Sequence, residues 1–325
     1  MKGNIDMKII VTGSMAYDRI MEFPGGFSEH IFPEKIENLN VCFTVNGMKE
    51  RFGGTAGNIA YALKLMGESP EISAVIGQDH GKYMEWFAQN RISTDMIRVM
   101  KGDFTACAYV TTDKSGNQIT VFNIGAMNHS SCLNFDSLDP NDTFLIVSPG
   151  NLDDMINYPR LCKEKGIDYI FDPGQQLPVI PPEDLKKSID GCRILISNEY
   201  ELDMIMNLTG FNKSTLLECT DTIIMTRGES GSRIITAKGE TDIPVVKADR
   251  VLDPTGAGDS FRGGLISGLV RGIDLEKSAI MGSVCASFSV EGYGTQEYSF
   301  TPEEFRKRLD VICDNTLPPE FDFIK

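Results

Sequence analysis

From residue 143 to residue 225 the chain alternates short apolar runs with stretches of helical periodicity, without internal sequence repeat. The runs cover residues 144–147, 169–171, 194–196 and 222–225, and helices are predicted between them over 153–165, 182–188 and 199–208. Short apolar strands without polar alternation are buried on both faces, which requires a mostly parallel sheet flanked by helices. Ile9-Ile10-Val11, ended by Thr12-Gly13-Ser14, and the run 72–77 have the same character. The predicted fold class is therefore α/β. Such sheets bind ligands at the carboxyl ends of their strands. Gly13-Ser14, Asp172-Pro173-Gly174 and Asn198-Glu199 all fall there.

The 325 residues suit one large α/β domain with an accessory piece. That piece is read as a small antiparallel β lid formed by about residues 19–52 and 103–123. Leu39, Val41, Phe43 and Val45 alternate as a strand would, and strands at 105–112 and 118–122 flank the turn Asp113-Lys114-Ser115-Gly116-Asn117. Helices are expected over 57–66 and 82–89.

A net charge of −15 argues against a nucleic-acid backbone or an anionic membrane surface as partner. Lys186-Lys187 and Arg306-Lys307-Arg308 are too short to reverse that and read as solvated helix faces. The eight cysteines, Cys313 included, form no CxxC pair, and the three histidines lack ligand spacing. Reduced thiols, no zinc site and a cytoplasmic location are expected. Met1-Lys2-Gly3-Asn4-Ile5-Asp6 lacks the apolar core of a signal peptide, and Met7 is an alternative start.

The segment Asp253-Pro254-Thr255-Gly256-Ala257-Gly258-Asp259 follows a stretch at 245–251 that reads as extended, and it leads into a predicted helix over 258–270. Small residues at a helix start free backbone N–H groups to face one anion, and the helix end adds partial positive charge. Asp259, in the first turn, can accept a proton from a hydroxyl; taken alone, it is also a residue that stabilises a helix start. Gly53-Gly54-Thr55-Ala56-Gly57-Asn58 permits close approach of backbone to a ligand, with Asn58 offering a donor and an acceptor to sugar hydroxyls. In Asn198-Glu199-Tyr200-Glu201 the glutamate Glu201 can organise Mg²⁺ through water, while an Asn helix cap explains the same residues. Thr226-Arg227-Gly228 ends a strand and reads equally as a plain turn.

Together and in this order, these segments resemble the ribokinase-like (PfkB) carbohydrate kinases over nearly the whole chain. Thr12-Gly13-Ser14, Asp18, Phe23-Pro24-Gly25, Phe27-Ser28-Glu29, Asp172-Pro173-Gly174-Gln175-Gln176-Leu177 and Gly294-Thr295-Gln296-Glu297 are similar to the bacterial adenosine kinases of that family. The resemblance implies Asp259 as the base that activates the acceptor hydroxyl, and Gly256, Ala257 and Gly258 as an anion hole. It implies Asp18, Gly54 and Asn58 on the ribose, and Ser14, Gln175, Gln176 and Phe122 on the nucleobase. Asn198 and Glu201 would order Mg²⁺ and phosphates, and Thr226 and Gly228 would line the ATP site. Asp253, Thr255 and the loop around Gly292 and Gly294 would hold a monovalent cation such as K⁺.

The implied reaction is ATP-dependent phosphorylation of a nucleoside 5′-hydroxyl, adenosine to AMP. The implied assembly is a homodimer paired through the lid. One departure stands out: Ala108 occupies the position where that subgroup has a second stacking phenylalanine. Phe104 is a candidate to compensate, and Tyr109 should point to the opposite face. Rival readings are a sugar kinase of ribose or fructose type, a broad-specificity nucleoside kinase, and a silent nucleoside-binding protein. A phosphosugar acceptor would need a cation near the pocket, where Arg51 is the one candidate. No GxGxxG follows the first strand, which disfavours a dehydrogenase.

Overall fold

The computed structural model describes residues 7–312 and Phe321, so the Met1–Asp6 leader and Cys313 lie outside the described residues. The main sheet has nine strands in the order β13-β12-β11-β10-β9-β8-β1-β4-β5. They are β1 Lys8–Thr12, β4 Glu71–Gly77, β5 Ile97–Met100, β8 Thr143–Val147, β9 Asp168–Phe171, β10 Ile194–Asn198, β11 Thr222–Thr226, β12 Ser232–Thr236 and β13 Gly239–Ile243. β5 through β11 run parallel, and β12 and β13 add an antiparallel hairpin at one edge.

Side chains alternate across each strand, so one strand feeds two cores. Ile9 and Val11 point to the face packed by α1 Thr55–Leu65, α2 Gly81–Gln89, α7 Ala257–Val270, α8 Leu275–Ser289 and α9 Pro302–Ile312. Ile10 points to the other face, packed by α3 Leu152–Lys165, α4 Pro182–Ile189, α5 Glu199–Thr209 and α6 Lys213–Cys219. Every residue of β8 is buried, as expected of a strand covered on both sides. Cys107, Cys162, Cys192 and Cys285 are buried free thiols, and Cys42 and Cys132 are exposed ones. Arg308 is not a solvated charge: it pairs with Glu291 at 2.8 Å and lies over the Phe288 ring.

A second sheet has the order β3-β2-β6-β7, with β2 Ala16–Glu22, β3 Met48–Gly53, β6 Ala106–Thr112 and β7 Gln118–Asn123. β2–β3 and β6–β7 are antiparallel, and β2–β6 joins the two pairs in parallel. The alternating residues 39–45 form no strand. Val41, Phe43 and Val45 do turn inward, and Phe43 packs edge-on against Phe23 and Phe27 at 5.0 Å, but side-chain packing rather than a ladder holds them. The stretch 245–251 pairs with no strand, and β13 ends the sheet on that side. Among the described residues no helix is long and apolar enough to cross a membrane.

Candidate active site

The carboxyl ends of β1, β8 and β9 open into a cleft of about 440 Å³ beneath the second sheet. Among the residues singled out from sequence, Ser14, Asp18, Gly54, Asn58, Phe122, Gln175, Gln176, Thr255, Gly256 and Asp259 all line it. Ala16, Ile124, Met127, Pro149 and Thr295 line it too and were not foreseen. Pro149 follows β8, so the strand-end rule that pointed to Gly13 and Asp172 applied to it equally.

Two glycines make the close approaches. Gly54 has φ +89°, and a Cβ there would stand 2.5 Å from the Ser14 carbonyl oxygen. Gly256 caps α7 with φ +79°, against the Thr295 side chain. Both positions exclude ordinary side chains. Ser14 helps start α1, since its Oγ accepts from the Thr55 N–H at 3.0 Å. Of the expected anion-hole donors, Ala257 turns its N–H back to the Pro254 carbonyl at 3.2 Å. Gly256 and Asp259 line the cleft, and Ala257 and Gly258 do not.

Asp259 accepts a hydrogen bond from Asn58 Nδ2 at 2.8 Å. Burial pushes its carboxyl up to about 6; Arg262 and the Asn58 bond pull it down, and Asp172 and Asp18 push it further up. Asp18 is also pushed up to about 6, by burial and by Asp253, with Arg51 opposing. Each carboxylate therefore holds its proton more tightly than an exposed one.

Arg262, absent from the sequence-based site, lies one turn past Asp259 and is buried. It clamps the buried Asp172 with one hydrogen bond, Nη2 to Oδ1 at 2.8 Å, and one ion-pair contact, Nε beside Oδ2 at 2.5 Å. The clamp joins α7 to the turn carrying Gln175 and Gln176. A cation inside an apolar helix pattern was the available signal. Gln176 Nε2 donates to the Gly150 carbonyl at 3.0 Å, while Gln175 is exposed.

Across the second sheet, Arg51, Asp18, Ala108 and Phe122 are successive register partners on one face. Ala108 leaves a notch between a carboxylate and an aromatic ring. Tyr109 is on the opposite face, as alternation requires, where Arg19 Nη1 donates to its hydroxyl at 2.7 Å. Phe104 stands outside the cleft. Arg51 is occupied: it donates to Glu297 at 2.7 Å and to the Tyr293 carbonyl. Among the described residues no Lys or Arg lines the cleft.

Asn198, Glu201, Thr226 and Gly228 lie apart from that cleft, at the ends of β10 and β11, where Asn198 and Thr226 are register partners. Asn198 and Glu201 form a reciprocal capping box at 2.8 Å each way. Glu201 is raised by burial, lowered by the Asn198 N–H, raised by Asp172 and lowered by Arg262. Asp253 has both carboxylate oxygens on backbone N–H groups, Thr255 and Gly294, each at 3.0 Å. Among the described residues no cluster of three His, Cys, Asp or Glu could hold a metal by itself. The donor set fits a Mg²⁺ that keeps waters and leans on substrate phosphates.

A half-buried carboxylate with a raised proton affinity, at a glycine-lined helix start, suits phosphoryl transfer to a hydroxyl. The chain belongs to the pfkB family of carbohydrate kinases, whose family model matches residues 9–303. It is a phosphotransferase acting on an alcohol group. It is 34% identical to the nucleoside kinase of Methanocaldococcus jannaschii over 306 residues, covering 93% of this chain and 97% of that protein. The solved nucleoside kinase of Burkholderia thailandensis in complex with inosine superposes with a TM-score of 0.82 at 35% identity, covering 93% of this chain and 97% of that one. A ribokinase of Haemophilus influenzae is 24% identical over 316 residues, covering 93% of this chain and 98% of that protein.

Proposed function

We propose that the chain transfers the γ-phosphoryl group of ATP to the 5′-hydroxyl of a purine nucleoside, with adenosine as acceptor. The observation that carries this reading is the row Asp18–Ala108–Phe122 facing the cleft. Adjacent strands are about 4.8 Å apart, so the carboxylate and the ring are separated by roughly 10 Å with a small residue between them. A ribose at Asp18, Gly54 and Asn58 then puts its base over Phe122, with Ser14, Gln175 and Gln176 at the base edge. The names of the two nucleoside kinases to which the chain is similar support the same class. A bare sugar would leave Phe122 and the glutamines unused, and a phosphosugar would meet no free cation.

In the reaction Asp259 takes the 5′-O–H proton as that oxygen bonds to the γ-phosphorus. The bond from this phosphorus to the β–γ bridging oxygen breaks, and ADP leaves. The N-terminus of α7 would face the charge that develops on the phosphoryl oxygens at Gly256; Ala257, with its N–H on the Pro254 carbonyl, and Gly258 would contribute through the helix end rather than from the cleft wall. ATP lies along Asn198, Thr226 and Gly228. Mg²⁺, held through water beside Glu201, would neutralise phosphate charge. A monovalent cation would sit beside Asp253 and Thr255, where two loops meet.

A second reading, acceptance of inosine as well, is favoured by the base-edge residues. A glutamine amide and a serine hydroxyl each donate and accept, so they satisfy a 6-amino or a 6-oxo purine. We further propose that the second sheet acts as a lid and that two copies pair through β7. Its six residues are all exposed, and Ile119 and Val121 lie on the side away from the cleft. The deciding experiment is ATP consumption with adenosine, inosine, ribose and fructose, with Asp259→Asn as control. A higher kcat/KM for ribose than for either nucleoside would sink the reading.

A further inference from the structure

A line of buried donors and acceptors runs from α2 to the catalytic carboxylate. Trp86, the chain's single tryptophan, donates Nε1–H to Gln296 Oε1 at 3.0 Å. Gln296 Nε2 donates to the Tyr83 hydroxyl at 2.7 Å and to Asn58 Oδ1 at 3.0 Å. Thr295 Oγ1 lies 2.7 Å from the same Asn58 oxygen. Asn58 Nδ2 then donates to Asp259 Oδ2 at 2.8 Å. Gln296 and Thr295 are buried, and Tyr83 is completely so.

The direction of this line is dictated by chemistry at its far end. An indole N–H can only donate, so it faces the Gln296 oxygen and turns the amide nitrogen inward. Tyr83 gives its own proton to the Gly53 carbonyl at 2.7 Å, so its hydroxyl oxygen must accept from Gln296. These two constraints are independent and agree. Asn58 must therefore present Oδ1 to Gln296 and Nδ2 to Asp259. The reversed Asn58 would oppose nitrogen to nitrogen at Gln296 and oxygen to oxygen at Asp259.

We propose that Trp86, Tyr83 and Gln296 are positioning residues that lock the Asn58 amide so that the catalytic carboxylate meets a donor and never an acceptor. Trp86 and Gln296 touch neither acceptor nor nucleotide and act through Asn58. A second consequence follows for ligand recognition. With Oδ1 already held by the Gln296 donor, and with the Thr295 hydroxyl shared between that oxygen and the Phe52 carbonyl at 2.9 Å, Asn58 offers a ligand its remaining N–H, so a hydroxyl bound there must accept. The proposal rests on Asp259 being the base in the reaction proposed above.

The test is the pH dependence of kcat/KM, which reports the free enzyme. Gln296→Met removes the donor at similar length, and Trp86→Phe removes the upstream donor while keeping a ring against Phe52 and Tyr61. A donor to a carboxylate favours its charged form, so its loss moves the acidic limb to higher pH. The expected shift for Gln296→Met is about one pH unit, a roughly tenfold loss on that limb. Trp86→Phe should move the limb the same way by less, and the double variant should match Gln296→Met alone. Limbs that stay in place in both single variants, with only thermal stability reduced, overturn the relay and leave a packing role. If the wild type turns over no alcohol acceptor, the functional reading fails and the relay is judged separately. The carbon-13 carboxyl titration of Asp259, assigned with Asp259→Asn, must then rise in Gln296→Met for the relay to stand.

Discussion

β8 and β7 are strands of similar length and opposite surroundings. All five residues of β8 are buried between β1 and β9, with a core on each face, whereas all six of β7 are exposed on a single neighbour, β6. The main sheet thus completes its own packing and can hold Asp259, Asn58 and Arg262 in place. The second sheet leaves Phe122 at 48% and Val121 at 62% exposure, apolar surface on its two faces that suits a bound molecule or a second copy. On the proposed function, rigidity would sit where the chemistry is and unfinished surface where recognition is.

The hardest test of that division is Asp259→Asn. It should lower kcat by about 10²–10⁴-fold while leaving the fold intact. It should also raise stability above neutrality. The native carboxyl, pushed up to about 6, binds its proton more tightly than in the unfolded chain, so the stability it contributes is full at low pH and lost as pH rises through that value. Melting at pH 8 should therefore improve by about 1–3 kcal/mol. Little change is expected near pH 4. A variant less stable at pH 8 would contradict the burial argument.

Arg262→Met comes next. Removing one partner of a buried pair leaves Asp172 as an uncompensated buried charge, with an expected loss of about 3–5 kcal/mol in denaturant unfolding. Arg262→Met combined with Asp172→Leu should recover most of it. A variant that loses nucleoside affinity but no stability would move this clamp from scaffold to recognition.

On the second sheet the expectations invert. Phe122→Ala should weaken nucleoside binding by about 1–3 kcal/mol, the worth of one base stacked on an aromatic ring, with melting unchanged. Ala108→Phe should fill the notch beside it and shift relative kcat/KM among purine, pyrimidine and bare-sugar acceptors. Equal effects on all three would remove Ala108 from specificity. The smallest effect is Val121→Lys, within about 0.5 kcal/mol in stability, but converting a dimer to monomer in sedimentation. An unchanged sedimentation coefficient would dissociate β7 from assembly.

The parallel core was legible because burial on both faces leaves unbroken apolar runs. The predicted strands at 144–147 and 222–225 differ from β8 and β11 by one residue at an end. Half-buried edges were less legible. The alternation at 39–45 is genuine in its packing, yet no strand lies beside it, and the β12–β13 hairpin went unread. Alternation reports which side chains turn inward; it does not report whether a neighbour exists to complete the ladder. The residues gathered in the cleft were legible as a set because the glycines at its two helix starts are demanded locally, by φ and by close approach.

By itself the sequence determined the α/β core, the glycine-lined helix start and the family, since each rests on short-range periodicity or on residues adjacent in the chain. Only the tertiary structure decided which carboxylates share an environment. The Asn58–Asp259 bond spans 201 positions, Asp172–Arg262 spans 90, and Gln296 reaches Asn58 across 238. Whether Asp259 is a helix-stabilising residue or a proton-retaining base depends on burial and on those distant partners, and a local pattern carries no information about either.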